Sequence, residues 1–418
     1  MKILVISDLY PPFYKGGHEI RCKIIADCFL ESGHEVDVLT CFYGPVEGDD
    51  PRIHRKLLPL APLKTKNVSS QRQIINYFKC GIFGIANYFI SLFFVLKVKP
   101  DIVYAGQISG ISAYPIRAFT SLKIPVVHHV GNYFLVEIIN RCIHESKKFK
   151  RLLRRIFHGF SGLDKSDFSH IIAVSEFVRK EYIKAGVPEE CIVVIPPRGV
   201  SSIDIVDAES FKFKSSITFR LLYVGRVVER KGLRIAVEAL NYLVNVRNRR
   251  DFQLVVIGDG DEDYMAELIA MISSFGIEAY IQFKGKMLHE DVAKEYELHQ
   301  ALVVPSIWED PNPSVVIEAM ARGIVVVGSR VGGIPDRVED GKSGILVPPG
   351  DPVRLGEALL DLADNPDKRR QICIEGLRKA RNDFSNEKIV QKLLDYMESI
   401  QMPLPAGRAG VKFSGDRI

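Results

Sequence analysis

The sequence predicts an α/β protein with two doubly wound parallel sheets, and three observations support this fold class. Short apolar runs alternate with helical patterns along nearly the whole chain, as in repeated β-α-β units. Most of these runs are apolar at successive positions, which is typical of parallel strands that are buried on both faces. The length of 418 residues exceeds what one hydrophobic core usually holds, so two domains are expected.

The predicted strands share a short run of mostly apolar residues. In the first half of the chain they are residues 2–7, 35–40, 101–105, 125–129, 170–174 and 191–195. In the second half they are residues 219–225, 253–258, 280–284, 301–304 and 324–327. The helical patterns between and after these strands include residues 17–32, 232–243, 262–275, 352–363 and 387–402.

A break in this alternation predicts the domain boundary near residues 197–215. There Pro196-Pro197-Arg198-Gly199 and a polar stretch rich in Ser and Asp interrupt the pattern. The C-terminal helix is expected to pack back toward the first domain, and the Gly/Pro tail after it is expected to be flexible. The predicted parts are a first domain at residues 1–200, a second domain at 201–385, a C-terminal helix at 386–402 and a tail at 403–418.

Composition and charge limit the compartment and the partners. Seven scattered cysteines without a C-x-x-C pair indicate a reducing compartment and argue against a disulfide framework or a zinc site. The apolar run at residues 3–6 is too short for a signal peptide, so a cytoplasmic protein is expected. Residues 1–200 carry a net charge of +9 and residues 201–418 a net charge of −4. The basic first half is expected to face an anionic surface or acceptor.

Two segments of the first half bear on membrane contact. Residues 80–96 contain no charged residue but only reach the lower end of the length that spans a bilayer, so they predict a buried or membrane-surface helix. Residues 147–157 form an amphipathic pattern, which fits either a helix on an anionic membrane or a helix packed on its own domain with a solvated basic face. No nucleic-acid motif accompanies this charge, so nucleic acid is not an expected partner. The basic side of the pattern consists of Lys147, Lys148, Lys150, Arg151, Arg154 and Arg155.

Charged residues gather at two predicted strand-to-helix junctions of the second half. Asp310 and Glu318 lie eight positions apart, across the loop and helix start that follow the strand at 301–304. Ion pairs on one helix are three or four residues apart, so these acids can instead converge on a ligand at the carboxyl end of a strand. Arg226 and Lys231 lie five apart around another such turn, where they can hold a diphosphate or form a solvated charged turn.

Glycine and histidine residues mark further strand ends. Gly16 and Gly17 precede the first helix, so its free N–H groups could approach a phosphate or sugar; an ordinary glycine turn is the alternative. Gly258 allows close backbone approach, although a plain tight turn explains it as well. His128 and His129 end a strand, where a histidine can donate to a sugar hydroxyl or stabilise developing charge; a packed or surface histidine is the alternative.

Taken in order, these segments resemble the family 4 retaining glycosyltransferases of the GT-B fold over about residues 1–385. Each motif alone is weak, but the ordered series is highly specific. The series consists of Pro11-Pro12 with Gly16-Gly17, Gly33-His34-Glu35-Val36, Lys99-Pro100-Asp101-Ile102-Val103, Ala173-Val174-Ser175-Glu176, Val224-Gly225-Arg226 with Lys231-Gly232, Pro305-Ser306 with Glu318-Ala319-Met320-Ala321-Arg322-Gly323, Gly332-Gly333-Ile334-Pro335-Asp336 and Gly341-Lys342-Ser343-Gly344.

The resemblance implies two Rossmann-like domains that face a central cleft, the first binding the acceptor and the second the nucleotide-sugar. Arg226 and Lys231 would hold the donor diphosphate and stabilise it as it departs, so no metal or other cofactor is implied. Glu318 would take the ribose hydroxyls, and Asp310 would meet the donor sugar. The family assigns no clearly placed protein nucleophile, and none is assigned here. The glycines expected to approach the donor are Gly16, Gly17, Gly225 and Gly258.

The chain departs from the family pattern at two points. The family usually has glutamates at both ends of an E-x7-E motif, whereas the first position here is Asp310, with Glu309 just before it. Because aspartate is one methylene shorter, either its contact with the donor sugar shifts or Glu309 substitutes for it. The family's first domain often carries a His-Asp pair, which by register would fall on Gly131-Asn132; we assign the histidine role to His129.

The leading hypothesis is therefore a cytoplasmic enzyme that acts in cell-surface polysaccharide or glycolipid biosynthesis. The basic first half and residues 147–157 add the expectation that it is peripheral on the inner face of the cell membrane. It would be a retaining hexosyltransferase that moves a sugar from a UDP- or GDP-sugar to a glycan or lipid-linked acceptor. A nucleotide-sugar epimerase on a similar fold is one alternative, and it would convert the donor without an acceptor. A non-catalytic, glycosyltransferase-like partner protein is another, because Asp310 and the missing His-Asp pair depart from the family.

Overall fold

The computed structural model describes residues 1–13, 17–60, 70–131, 136, 168–213 and 216–401. The chain divides into two compact units. One unit consists of Met1–Arg198 together with the last helix from Val390 onward, and the other consists of Gly199–Ile389. The predicted tail at residues 403–418 lies outside the described residues.

The first unit is built on a sheet whose strands all run parallel. They are β1 Lys2–Ile6, β2 Glu35–Cys41, β3 Ile53–Leu57, β4 Ile102–Ala105, β5 Val126–Val130, β6 Ile171–Ala173 and β7 Ile192–Val194. Their order is β3-β2-β1-β4-β5-β6-β7, so the chain starts inside the sheet, builds one side and then builds the other. The switch point lies between β1 and β4, and open α/β sheets bind ligands at such a point, beyond the carboxyl ends of the strands.

The second unit repeats this plan with a second parallel sheet. Its strands are β8 Phe219–Val224, β9 Phe252–Ile257, β10 Ile281–Gly285, β11 Ala301–Val304, β12 Val325–Ser329 and β13 Ile345–Val347. Their order is β10-β9-β8-β11-β12-β13, which places the switch point between β8 and β11. Successive residues of β8 are buried in different cores: Leu221 and Tyr223 in one, Leu222 in the other. A sheet that is covered on both faces in this way leaves its strand ends as the place for a ligand.

The helices of the described residues lie between the strands or after them. Those of the first unit are α1 Gly17–Glu31, α2 Ser70–Val98, α3 Tyr114–Ser121 and α4 Glu176–Lys184. Those of the second unit are α5 Leu233–Asn241, α6 Glu262–Phe275, α7 His289–Tyr296, α8 Ser314–Ala321, α9 Pro352–Asp364 and α10 Pro366–Asp383. The last helix, α11 Asn386–Gln401, begins in the second unit, and its Tyr396 meets the His170 ring in the first unit, with 6.4 Å between the ring centroids.

The predicted fold class is confirmed, because both sheets are parallel, doubly wound and separated in sequence. Each predicted strand is present within two residues of its expected limits, and the predicted helix at 262–275 coincides with α6. The strands β3 and β13 were not predicted. The strand β3 escaped prediction because Ile53–Leu57 contains three polar residues in a row. Its place at the edge of the sheet explains this pattern, since edge strands tolerate charged side chains.

Candidate active site

The loops that follow β8 and β11 meet at the switch point of the second sheet. The two strands are parallel neighbours, with Ala301 opposite Leu221. Beyond their ends, the Ile307 N–H donates to the Arg230 carbonyl at 3.2 Å. The Arg230 guanidinium also lies over the Trp308 ring, 4.6 Å from its centroid. Backbone and cation–π contacts thus hold the two loops together, which fixes the charged side chains that they carry.

A glycine makes this close approach possible. Gly232 has a φ of 72°, and a Cβ on this residue would lie 1.9 Å from the Pro305 carbonyl oxygen. Any residue with a side chain would therefore push the loop after β11 away from the start of α5. The short distance between the two backbones places Lys231, the preceding residue, beside the acidic loop.

Lys231 and Asp310 form an ion pair across the two loops. About a quarter of the Lys231 side chain is exposed, and a tenth of the Asp310 side chain. The Asp310 backbone is fixed as well, because its carbonyl accepts the Gly333 N–H at 2.8 Å. The structure thus brings together two residues that the sequence placed in separate roles, one at the diphosphate and one at the donor sugar.

Arg226 differs from Lys231 in its exposure. Its side chain is exposed, directly beyond the end of β8. Its carbonyl accepts the Tyr223 hydroxyl at 3.0 Å, and burial raises the pKa of that phenol, so the hydroxyl stays a donor at neutral pH. Tyr223 therefore fixes the backbone from which the Arg226 guanidinium projects.

Glu318 lies in the second turn of α8 and is half-buried. Its carboxylate accepts the hydroxyl of Tyr296, the last residue of α7, at 3.1 Å. Tyr296 is fully buried, so this hydrogen bond limits the rotation of the carboxylate. Asp310, eight positions earlier in the sequence, thus lies in the loop before α8, whereas Glu318 lies within α8.

The packing of the backbone requires a glycine at position 258. Its φ is 138°, and a Cβ there would lie 1.9 Å from the Gly225 carbonyl oxygen, because the ends of β8 and β9 nearly touch. The Gly225 N–H in turn donates to the Ile257 carbonyl at 3.0 Å. Close packing of two backbones accounts for Gly258, and its contact with a donor stays a prediction.

The sequence reasoning missed a buried arginine that supports the acidic loop. The Arg337 Nε donates to the Asn312 side-chain oxygen at 3.1 Å, and its guanidinium lies 5.1 Å from the centroid of the Phe384 ring. Burial lowers the pKa of Arg337 to about 10, and the neighbouring Asp336 partly offsets this shift. The guanidinium therefore remains charged at neutral pH, beneath the loop that carries Asp310. Its only signal in the sequence was its place directly after the Gly332-Gly333-Ile334-Pro335-Asp336 motif.

His129 lies at the carboxyl end of the first sheet and is buried. The Tyr104 hydroxyl meets its Nδ1 at 2.6 Å, and its Nε2 lies 3.2 Å from the Ile195 carbonyl oxygen. Because a carbonyl only accepts, Nε2 carries the proton and Nδ1 accepts from the tyrosine. Both ring nitrogens are thus engaged inside the first unit, next to the equally buried His128. The predicted role of His129 at the substrate stays a prediction.

The remaining predicted residues lie at or beyond the limits of the described chain. Gly17 is the first residue of α1, whereas Gly16 lies outside the described residues. The whole basic pattern at 147–157 also lies outside them. The Arg55 side chain of β3 donates to the Pro11 carbonyl at 2.6 Å, in the described part of the segment that follows β1.

Two family models match the chain. One, described as Glycosyltransferase Family 4, matches residues 15–200, and one described as Glycosyl transferases group 1 matches residues 218–365. An uncharacterized glycosyltransferase of Methanocaldococcus jannaschii is 26% identical over 374 residues, which cover 84% of this chain and 86% of that protein. A phosphatidyl-myo-inositol mannosyltransferase of Mycobacterium leprae is 29% identical over 213 residues, which cover 50% of this chain and 54% of that protein.

Solved structures share the fold. The crystal structure of HepE from Anabaena in complex with UDP matches with a TM-score of 0.65 at 20% sequence identity. The match covers 96% of this chain and 100% of the HepE chain. The same protein in complex with UDP-glucose has a TM-score of 0.63 at 20% identity, with the same coverage. At this identity the likeness shows the fold alone, and it confirms the predicted GT-B architecture.

Proposed function

Because the chain belongs to the family 4, or group 1, glycosyltransferases, we propose that it transfers a sugar from a nucleotide-sugar donor with retention of anomeric configuration. The observation that carries this proposal is the arrangement at the switch point of the second sheet. An exposed arginine, a half-buried lysine and the Asp310 carboxylate project there from loops that are fixed to each other, and the Glu318 carboxylate follows in α8. The cations suit a diphosphate and the carboxylates suit sugar hydroxyls.

The Lys231–Asp310 pair suggests how the site changes when the donor binds. In the structure each of these groups neutralises the other. A donor diphosphate would offer the ammonium more negative charge than one carboxylate, and it would take Lys231 from Asp310. The released carboxylate would then accept a hydroxyl of the donor sugar. The pair thus keeps both groups in place before the donor arrives, so little reorganisation is needed at the reaction.

The chemical step follows from the same charges. As the bond between the sugar and the diphosphate breaks, negative charge grows on the departing phosphate, and Arg226 and Lys231 would stabilise it. Glu318, oriented by the Tyr296 hydroxyl, would hold the ribose hydroxyls and so fix the nucleotide. We assign no protein nucleophile, and we propose that the reaction uses no metal and no other cofactor.

The donor and acceptor classes are inferred from the similar proteins and from the charge of the first half of the chain. HepE, which shares the fold, was solved with UDP and with UDP-glucose, and the M. leprae relative is named for a lipid acceptor. The basic first half of this chain would complement an anionic acceptor or membrane surface. We therefore propose a UDP- or GDP-sugar as donor and a glycan or lipid-linked acceptor, at the cytoplasmic face of a membrane, in surface-glycan biosynthesis.

The phosphate clamp is tested by removing one cation at a time. We expect Arg226→Ala and Lys231→Ala each to lower the transfer rate by roughly a hundred- to a thousandfold, because each removes charge that stabilises the leaving group. Arg234→Ala is the matched control, since its guanidinium pairs with Glu238 on α5 and should not touch the donor. Radiolabelled transfer to acceptors in membrane extracts provides the measurement. Equal rates in wild type, R226A and K231A would refute the diphosphate assignment.

The donor is identified separately, by thermal shift with UDP-, GDP- and ADP-sugars, because a ligand of the folded state raises the melting temperature. Incubation of the enzyme with the selected nucleotide-sugar alone then distinguishes transfer from epimerisation. A transferase leaves the sugar configuration of the donor unchanged, whereas formation of an epimer without any acceptor would contradict the proposal.

A further inference from the structure

One face of α2 carries a continuous stripe of exposed apolar side chains. The stripe consists of Ile82, Ile85, Phe89, Phe93 and Leu96, and each of these side chains is at least half exposed. Phe93, at 70%, is the most exposed of them. Their spacing of three and four residues confines them to an arc of about 80° and a length of about 21 Å along the helix. Exposed large apolar residues in one contiguous line mark a surface that meets an apolar partner.

The opposite face of α2 is fixed to the first unit. The Asn87 side chain accepts the Leu58 N–H at 2.7 Å and donates to the Leu58 carbonyl at 2.9 Å. Gly84 lies against the Tyr114 ring of α3, where a Cβ would come within 2.4 Å of a ring carbon. The segment Gly81–Val98 is long and apolar enough to cross a membrane, but a third of it is buried in the unit. Because these contacts hold the Gly81–Val98 part of α2 on the unit, it presents the stripe without leaving the fold.

The segment of sequence that contains the stripe carries charge of one sign. Residues 51–100 contain nine Lys and Arg residues and no Asp or Glu, which accounts for the whole excess of the first half. Two of these cations, Arg52 and Arg55, pair with the acids that precede the segment. Lys97 and Lys99, at the end of α2, are exposed. An apolar stripe in such surroundings is complementary to a surface that is apolar inside and anionic at its rim.

We propose that α2 lies flat in the interface of an anionic lipid bilayer, with the stripe inserted among the acyl chains and the neighbouring lysines at the headgroups. A second copy of this chain is a poorer partner, because pairing through the stripe would bring two acid-free, basic segments together. The inference depends on the proposed function in one respect only: membrane contact would bring the first unit to a lipid-linked acceptor. The contact itself rests on the exposed residues of α2.

The test measures binding to vesicles. Wild type and Phe89→Gln/Phe93→Gln are sedimented with vesicles of phosphatidylcholine alone, or of equal parts phosphatidylcholine and phosphatidylglycerol. We expect wild type to bind only the anionic vesicles, and the variant to bind them about a hundredfold more weakly, because two large apolar side chains no longer insert.

Ile269→Gln/Leu288→Gln, which changes two exposed apolar residues of the second unit, should bind like wild type. Lys97→Gln should weaken binding to the anionic vesicles about threefold at low ionic strength. The difference from wild type should shrink as salt is added, because salt screens the attraction that Lys97 contributes.

Three outcomes would overturn the inference. They are equal binding of F89Q/F93Q and wild type, absence of wild-type binding to anionic vesicles, and a wild-type dimer that F89Q/F93Q converts to monomer without change in vesicle binding. Circular dichroism and the thermal shift with the donor selected above verify that the variant is folded. The R226A and K231A experiment compares proteins that all keep the stripe, whereas the vesicle experiment compares proteins that all keep Arg226 and Lys231, so either conclusion can fail while the other holds.

Discussion

The two sheets share one topology but use the polar residues at their carboxyl ends differently. In the second sheet, Arg226 is exposed, and Lys231 and Glu318 are partly so. In the first sheet, Asp8 and His129 are buried and hydrogen-bonded within the unit. The same switch point thus forms an open charged site in one unit and a closed polar network in the other. Strand order alone therefore locates a candidate site, and the exposure of its charges decides whether a ligand can use it.

The closed network holds the loops of the first unit. The Asp8 carboxylate accepts the Gly110 N–H at 2.8 Å and the Ser109 hydroxyl at 3.2 Å, which joins the end of β1 to the loop after β4. His129 likewise joins β5 to Tyr104 in β4 and to the Ile195 carbonyl after β7. In the open site the Lys231–Asp310 pair likewise joins the loop after β8 to the loop after β11, and a charged ligand can exchange with it.

Among the changes that test this contrast between the two sheets, Asp310→Asn is expected to have the largest effect, because it breaks the ion pair of the open site. Asp310→Asn leaves the partly buried Lys231 ammonium beside a neutral amide. We expect the free energy of unfolding to fall by about 2 kcal/mol and the transfer rate by about a hundredfold. Urea denaturation and steady-state kinetics with the selected donor measure the two effects.

Glu309→Gln is the matched control for this change. Glu309 is the exposed neighbour of Asp310, and the sequence left open that it takes over the contact with the donor sugar. If Asp310 makes that contact, E309Q keeps nearly the wild-type rate and stability. The assignment fails if E309Q loses the rate while Asp310→Asn keeps it.

The strands that carry the site could be predicted from the sequence, whereas the ion pair between Lys231 and Asp310 could not. The apolar runs that became β8 and β11 are buried on both faces, so the pattern shows that they are parallel strands. The acids and cations directly after them had to lie at strand ends. The pairing of Lys231 with Asp310 spans 79 positions and depends on strand order, which the periodicity of the chain does not encode.

The partners of the functional side chains were also beyond the sequence. Tyr296 and Arg337 look like ordinary residues of a helix end and a turn, and only the fold brings them to Glu318 and Asn312. In the first unit, the position of His129 at a strand end suggested contact with a substrate, with a packed or surface histidine as the alternative. The structure instead surrounds its ring with partners from neighbouring strands, because β5 lies inside the sheet rather than at its edge.

An intermediate effect is expected at His129. Tyr104→Phe removes the hydroxyl that donates to its Nδ1, and His129→Gln removes the ring. If the histidine is a structural junction, both variants lower the free energy of unfolding by about 1–2 kcal/mol, because a buried polar group loses its partner. The kcat of the folded enzyme should then change by less than about threefold in both, since neither residue would touch the substrate.

The catalytic assignment of His129 predicts a different pattern. His129→Gln would then lower kcat by about a hundredfold, while Tyr104→Phe would lower it much less, because general-acid or electrostatic help comes from the ring itself. Measuring kcat and urea stability for both variants separates the two roles. A loss of kcat in H129Q alone would show that the carboxyl end of β5 is accessible to the substrate.

The smallest effect is expected at Asp8. Burial raises its pKa to about 6, and the hydrogen bond from the Gly110 N–H only partly opposes this shift. The folded pKa lies above the unfolded value, so the folded state binds more protons between these two pKa values. The free energy of unfolding therefore falls as the pH rises through this window, by about 1 kcal/mol between roughly pH 5 and pH 7.

Asp8→Asn removes this titration but keeps a side-chain oxygen for the Gly110 N–H. Its stability relative to wild type should therefore increase with pH, by about 1 kcal/mol over the same range, in urea denaturation at matched ionic strength. A constant difference between the two proteins would mean that the folded carboxyl titrates like an exposed one. The first sheet would then present an accessible acid at its switch point, and the contrast with the second sheet would reduce to the exposed Arg226 and the half-buried Lys231 of the second sheet.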